Sequence, residues 1–227
     1  FSYFNIPLCL MQSAFYNYQP EMSLAHYRKD AFMSQQMEIE FKNLLTKEEY
    51  TRLLTFFNIV PEQIIKQENH YFDTPHYDLK NASSGLRIRV LPHRIECTLK
   101  ERSSENAHLE TTDPLTADVA AQMIRGLTFE APSVEQRLLE MNINKEELQL
   151  FGSLTTKRVE LAYEGGLLVL DHSFYLQCED YEVEYETNDE HTGFSIFEQF
   201  LTQHNIEKRY AKKKIARFAE ALAQQYE

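Results

Sequence analysis

Apolar and polar positions alternate with period two along several stretches of the chain, the pattern of β-strands with one buried face. In residues 37–42, Glu38, Glu40 and Lys42 share one face, and Met37, Ile39 and Phe41 share the other. Residues 64–74 read as a strand running through Tyr71-Phe72-Asp73-Thr74 into a turn at Pro75. In residues 84–90, Arg87 and Arg89 oppose Leu86, Ile88 and Val90. Leu91-Pro92-His93 then turns the chain. The returning strand puts Arg94, Glu96, Thr98, Lys100 and Arg102 on one face, and Ile95, Cys97 and Leu99 on the other. A short strand over 108–112 ends at Asp113-Pro114. A long one over 148–163 carries Arg158 and Glu160 on its polar face. Glu164-Gly165-Gly166 is a hairpin signal. An apolar strand over 167–171 ends in Asp171, with His172-Ser173 as the next turn. Residues 181–186 repeat the opening pattern, with Glu182, Glu184 and Glu186 opposite Tyr181, Val183 and Tyr185.

Helical periods fill the gaps. Thr46 and Glu49 form a capping box, followed by Tyr50, Leu53, Leu54 and Phe57 at helical spacing and by Pro61 beyond the end. Further helices are predicted from Thr116 to about 125, from Pro132 to about 141, and over 189–204. A last amphipathic helix follows Lys212, Lys213 and Lys214 and runs to about Leu222. Residues 1–36 carry Phe1, Tyr3, Phe4, Phe15, Tyr16, Tyr18, Tyr27 and Phe32 with neither period and without the pattern of a secretory leader. They read as a peripheral arm or an upstream extension of the gene, since Met33 and Met37 each make a natural start. The main domain is then 37–227, of class α+β.

A chain of 227 residues, 43% hydrophobic and 26% charged, has the makings of one good-sized soluble domain. The formal charge of -12 argues against a nucleic-acid polymer as partner, because that binding rests on Lys and Arg neutralising phosphates. It leaves room for a small polyanion in a locally basic pocket. Cys9, Cys97 and Cys178 are odd in number and contain no Cys-x-x-Cys, which points away from a disulfide framework or a zinc site and towards a reducing cytoplasm. Cys97 and Cys178 read as small core residues. No apolar run approaches the ~20 residues of a membrane helix.

The strand faces are what give the chain chemistry. Acids gather on Glu38/Glu40 and Glu182/Glu184/Glu186, and bases on Arg87/Arg89, Lys100 and Arg158. Like charges set side by side repel and do nothing for a plain sheet. A barrel closed with these faces inward gives them a purpose: carboxylates hold Mg²⁺ or Mn²⁺, and the bases hold phosphates that the metal bridges. Other residues have plainer readings. Asp73 is a strand-end turn residue. His70, His108 and His172 are structural or exposed, and Lys212 and Lys213 are a solvated helix start.

The ordered set resembles the CYTH superfamily, the triphosphate tunnel metalloenzymes, nearest its bacterial YjbK-like branch of triphosphatases and adenylate cyclases. The match is carried by Glu38-x-Glu40-x-Lys42, Tyr71-Phe72-Asp73-Thr74, Leu86-Arg87-Ile88-Arg89, Thr98-Leu99-Lys100, Arg158, Leu170-Asp171, Glu182-x-Glu184, and Lys214 in the closing Lys-Lys-Ile-Ala-Arg segment. The resemblance implies a closed eight-stranded antiparallel barrel with helices packed outside. It implies Glu38, Glu40, Asp171, Glu182 and Glu184 as metal ligands, and Lys42, Arg87, Arg89, Lys100, Arg158 and Lys214 as phosphate contacts. Glu38, Glu40, Lys42 and Arg158 stand nearest the chemistry; Glu186 is placed at the tunnel mouth. The activity implied is metal-dependent hydrolysis of a triphosphate, inorganic triphosphate in the simplest case. The partner is thus a small molecule, not a membrane or nucleic acid, and the protein a monomer or homodimer. Adenylate cyclisation is the rival, although the His-Phe pair that class IV cyclases carry ahead of ExExK is missing. Thiamine triphosphate hydrolysis is a weaker variant, and a non-catalytic triphosphate or polyphosphate binder is the third reading.

Overall fold

Closing a sheet on itself turns one face of every strand inward, and here that face is the charged one. The structure is a computed structural model and describes residues 35–224; the reading of 1–36 therefore lies outside the described residues, except that Gln35 and Gln36 already belong to the first strand. The elements in order are β1 (Gln35–Leu45), α1 (Lys47–Phe56), β2 (Ile65–Asp73), α2 (Asp78–Asn81), β3 (Gly85–Val90), β4 (Ile95–Arg102), β5 (Ala107–Leu115), α3 (Ala117–Ile124), α4 (Pro132–Glu140), β6 (Gln149–Tyr163), β7 (Gly166–Tyr175), β8 (Cys178–Thr187), α5 (Glu190–Gln203) and α6 (Lys214–Gln224). The strands form a closed barrel in the order β1-β5-β4-β3-β2-β6-β7-β8, with β8 pairing back to β1 and every pairing antiparallel. Closure removes the sheet edges and leaves an interior.

The outward faces are covered by helices. Phe41, Val159, Leu168, Leu170 and Val183 pack against Tyr50 and Leu53 of α1 and Phe197 and Phe200 of α5. Leu86, Ile88, Cys97 and Leu99 pack against Leu79 of α2, Met123 of α3, and Val134 and Leu138 of α4. Thr46 makes the expected capping box with Glu49, and Thr116 and Asp189 cap α3 and α5. The start of α4 has no local side-chain cap; instead the buried Asp113 carboxylate accepts from the Val134 N–H at 2.9 Å. Asp73 is the expected turn residue, accepting from the N–H groups of Thr74, Leu79 and Lys80.

Three expectations change. α6 does not lie over the outside of the sheet: Phe218 packs with Tyr71, Leu154 and Tyr175, and Tyr71 stands opposite Arg87 on the inner face. Gly152 permits this approach, since a Cβ there would lie 2.1 Å from the Phe218 ring. Secondly, β7 does not end at Asp171 with a turn at His172-Ser173. It runs on to Tyr175, because Ser173 pairs inward with Thr156 and the reversal falls at Leu176, which takes φ 52°. Cys178 consequently starts β8 at the hairpin end and is exposed, not a core residue, while Cys97 is buried as expected.

Candidate active site

Period-two alternation fixes which side chains enter the barrel, and antiparallel register sets them beside one another. Glu40 lies across from Glu186, Lys42 from Glu184, Glu38 from His108, Lys100 from Glu110, and Arg158 from Asp171. On one wall, the Lys100 ammonium pairs with Glu38 and lies 3.3 Å from Glu40 and 3.6 Å from Glu110. Lys42 donates to Glu40 at 2.6 Å. Burial opposes ionisation of Glu40, but Lys100 and Lys42 outweigh it and hold that carboxyl at about 2. Glu38 goes the other way: burial and the neighbouring Glu110 push it up to about 7.

A second network lines β6, β7 and β8, next to β1 in the barrel. Arg158 grips Asp171 with two parallel hydrogen bonds of 2.8 and 2.5 Å and reaches Glu184 at 2.8 Å, the fork geometry that suits guanidinium to carboxylate or phosphate. Lys214, from the first turn of α6, adds contacts to Asp171 at 2.9 Å, Glu184 at 2.7 Å and Glu182 at 3.1 Å. Burial works against charge on Asp171 and Glu184, yet Arg158 and Lys214 hold both below the usual carboxylate range. Glu182 is pushed up to about 7 by burial, with Glu184 beside it, against the pull of Lys214. Burial, with Glu38 next in effect, takes Glu186 up to about 8.

The arginines of β3 complete the lining. Arg89 donates through Nε to Asn69 at 3.1 Å and lies 3.9 Å from Glu96. Arg87 lies 3.9 Å from Glu110, and its buried Nε has no hydrogen-bond partner among the described residues. Burial and the nearby Arg87 and Arg158 push Arg89 down to about 10. Cations in such a state are poised to take an anion. Carboxyls raised like Glu38, Glu182 and Glu186 mark the converse, acids in local excess that a divalent cation would relieve. By both tests the residues fit a metal with a polyphosphate.

Every residue singled out in the sequence for this chemistry lies on the interior. Lys214 rather than Lys212 or Lys213 points inward; Lys212 pairs with Glu220 and Lys213 donates to the Ser83 carbonyl. Glu186 is half-buried and in register with Glu40. Of the histidines read as structural or exposed, His108 is buried, and one ring nitrogen lies with carboxylate oxygens of Glu38 and Glu40 in a group spanning no more than 4.8 Å. His70 and His172 are peripheral as expected, bonded to Ser153 and Glu179. Glu110, Asn69 and Arg217 were missed. Glu110 alternates with His108 along β5, so the period-two pattern could have found it. Arg217, one turn beyond Lys214, pairs with Glu182 at 2.5 Å and Asp180 at 2.9 Å.

A barrel of this topology with carboxylates and cations facing its interior defines a class of tunnel proteins. A family model for the CYTH domain matches residues 36–219, and the chain belongs to the CYTH family. "Putative triphosphatase YjbK" of Bacillus subtilis (strain 168) is 42% identical over 190 residues, covering 83% of this chain and 97% of that protein. A solved Bacillus halodurans structure described as a "putative adenylate cyclase" is 36% identical, covers 82% of this chain and 99% of its own, and superposes with a TM-score of 0.79. A Hippeastrum structure, described as a "putative adenylyl cyclase" with a dominant triphosphatase activity, has a TM-score of 0.69 at 22% identity, covers 82% of this chain and 95% of its own, and shares the fold. Among the described residues no helix is long and apolar enough to cross a membrane.

Proposed function

We propose that this protein is a divalent-metal-dependent hydrolase of triphosphate compounds, with inorganic triphosphate the simplest substrate and the reaction inside the barrel. The observation that carries this reading is the pairing of interior acids with interior bases. Lys100 stands against Glu38 and Glu40, and Arg158 and Lys214 stand against Asp171 and Glu184. Each pair would have to separate to give its acid to a cation and its base to a phosphate oxygen, so metal and phosphate together would replace the internal ion pairs with matching charge contacts.

Glu38 and Glu40 on β1, with Asp171 on β7 and Glu182 and Glu184 on β8, would hold Mg²⁺ or Mn²⁺, directly or through water. The metal would supply charge neutralisation at the phosphate oxygens and activation of water. Lys42, Arg87, Arg89, Lys100, Arg158 and Lys214 would bind the phosphate oxygens. Positioning and neutralisation are most of what phosphoryl transfer asks of a protein. Lys42 and Arg158 stabilise charge on the transferring group, while Glu38 and Glu40 orient the attacking water. On this reading the protein works in the cytoplasm as a monomer or homodimer, on a small molecule rather than a nucleic-acid polymer or a membrane.

The test is phosphate release from inorganic triphosphate, ATP, GTP and thiamine triphosphate with Mg²⁺ and with Mn²⁺. Glu40→Ala and Arg89→Ala should each abolish turnover while leaving the far-UV CD spectrum unchanged; full activity in either would remove the site from consideration. A second reading rests on the 36% identical relative described as a "putative adenylate cyclase". Cyclic AMP from ATP would favour it. Tight triphosphate binding with no product under either metal would favour a binding protein.

A further inference from the structure

Among the described residues, His108 is the imidazole that reaches the acidic centre of the barrel. It sits on β5 directly across from Glu38 on β1. It is 3% exposed, and one of its ring nitrogens falls within 4.8 Å of carboxylate oxygens of both Glu38 and Glu40. Its Nδ1 is buried without a hydrogen-bond partner among the described residues. A buried polar atom normally has a partner, and an orphan costs stability. A purely structural histidine would be expected to spend that nitrogen on a carbonyl or hydroxyl. The nearby positive charge comes instead from Lys100, whose ammonium pairs with Glu38 and lies 3.3 Å from Glu40.

We infer that His108 is a third protein ligand to the divalent ion held at Glu38 and Glu40, and that it biases this site towards first-row transition ions such as Mn²⁺ over Mg²⁺. This rests on the metal-dependent reading above. Mg²⁺ is a hard ion that takes oxygen ligands and keeps its waters, whereas imidazole nitrogen suits transition metals. A site of carboxylates alone offers little discrimination between Mg²⁺ and Mn²⁺. One nitrogen ligand supplies it, and Lys100, released from Glu38 and Glu40, becomes free to meet a phosphate.

The experiment uses the full chain, with Mn²⁺ as probe. Free Mn²⁺ is counted by EPR during a titration, Mg²⁺ is added as competitor, and pulsed EPR reads nitrogen coupling to the bound ion. Protein labelled with ¹⁵N only at histidine distinguishes imidazole from backbone nitrogen. The expected result is histidine ¹⁵N coupling in the wild type and Mn²⁺ binding at least about tenfold tighter than Mg²⁺. In His108→Gln the coupling disappears and Mn²⁺ affinity falls by roughly tenfold, while Mg²⁺ affinity changes by less than about twofold. Should His108→Gln fail to fold, the labelled wild type alone decides. Bound Mn²⁺ without histidine coupling overturns the role of His108 and leaves the metal site standing. Absence of Mn²⁺ and Mg²⁺ binding at millimolar concentration overturns both.

Discussion

Arg158→Met removes the charge that holds the second wall together while keeping most of the side chain's bulk. Arg158 is 11% exposed, and its partners Asp171 and Glu184 are buried. Truncating one partner of a buried charge network leaves the others uncompensated, at a cost of about 3–5 kcal/mol. Lys214 stays within 2.9 Å of Asp171 and 2.7 Å of Glu184, so the lower end, about 3 kcal/mol, applies. With a urea dependence of about 2–3 kcal/mol/M, the unfolding midpoint should fall by roughly 1–1.5 M. The penalty should also depend on pH. In the wild type, Arg158 and Lys214 hold both carboxyls below their unfolded values. Their contribution is therefore full above the unfolded carboxyl range and is lost as pH falls through the folded values. In the variant those pKa values rise, so protonation relieves the unpaired charge and the gap to wild type narrows in acid. Urea unfolding followed by far-UV CD in EDTA, at pH 7.5 and pH 5, measures both effects. A midpoint shift under about 0.5 M at pH 7.5, or a gap that does not shrink at pH 5, would refute the reasoning.

Further outcomes follow from the same interior. Glu38 and Glu182 are pushed up to about 7, and Glu186 to about 8, chiefly by burial. Folding therefore takes up protons at these carboxyls, and their contribution to stability falls as pH rises from their unfolded values through 7–8. Above pH 7 the burial-lowered His70, His108 and His204 are largely neutral in both states, so metal-free protein should lose thermal stability between pH 7 and 8.5; a flat or rising Tm would count against these shifts. Mg²⁺ or Mn²⁺ should restore it and release protons, read by calorimetry in two buffers of different ionisation enthalpy. Gly152→Ala should cost about 1–3 kcal/mol, because the added methyl meets the Phe218 ring. Adding Phe218→Ala should recover part of that loss, and strict additivity in the double mutant would sink this account of α6 docking. Lys214→Ala should weaken triphosphate binding at least about tenfold, whereas Lys212→Ala, on an exposed pair with Glu220, should leave it within about twofold.

Strand periodicity was legible because each strand has to bury one face, and a sequence records that need locally. Glu38/Glu40, Arg87/Arg89 and Glu182/Glu184 announced a charged face that a solvated sheet does not require, and the capping box at Thr46 marked a helix start where one begins. Ends of elements were less legible. β7 runs past His172-Ser173 because Thr156, across the hairpin on β6, gives Ser173 an inward partner, and that partner is not visible from β7 itself. Closure decided the rest. Only antiparallel register across β1 and β5 brings His108 to Glu38. Only the entry of α6 at one end of the barrel carries Lys214 to Asp171 and Glu184, thirty or more residues upstream along the chain. Alternation says which face a side chain takes; which strand stands beside it depends on long-range pairing, and the charge state of each interior carboxyl follows from that neighbour.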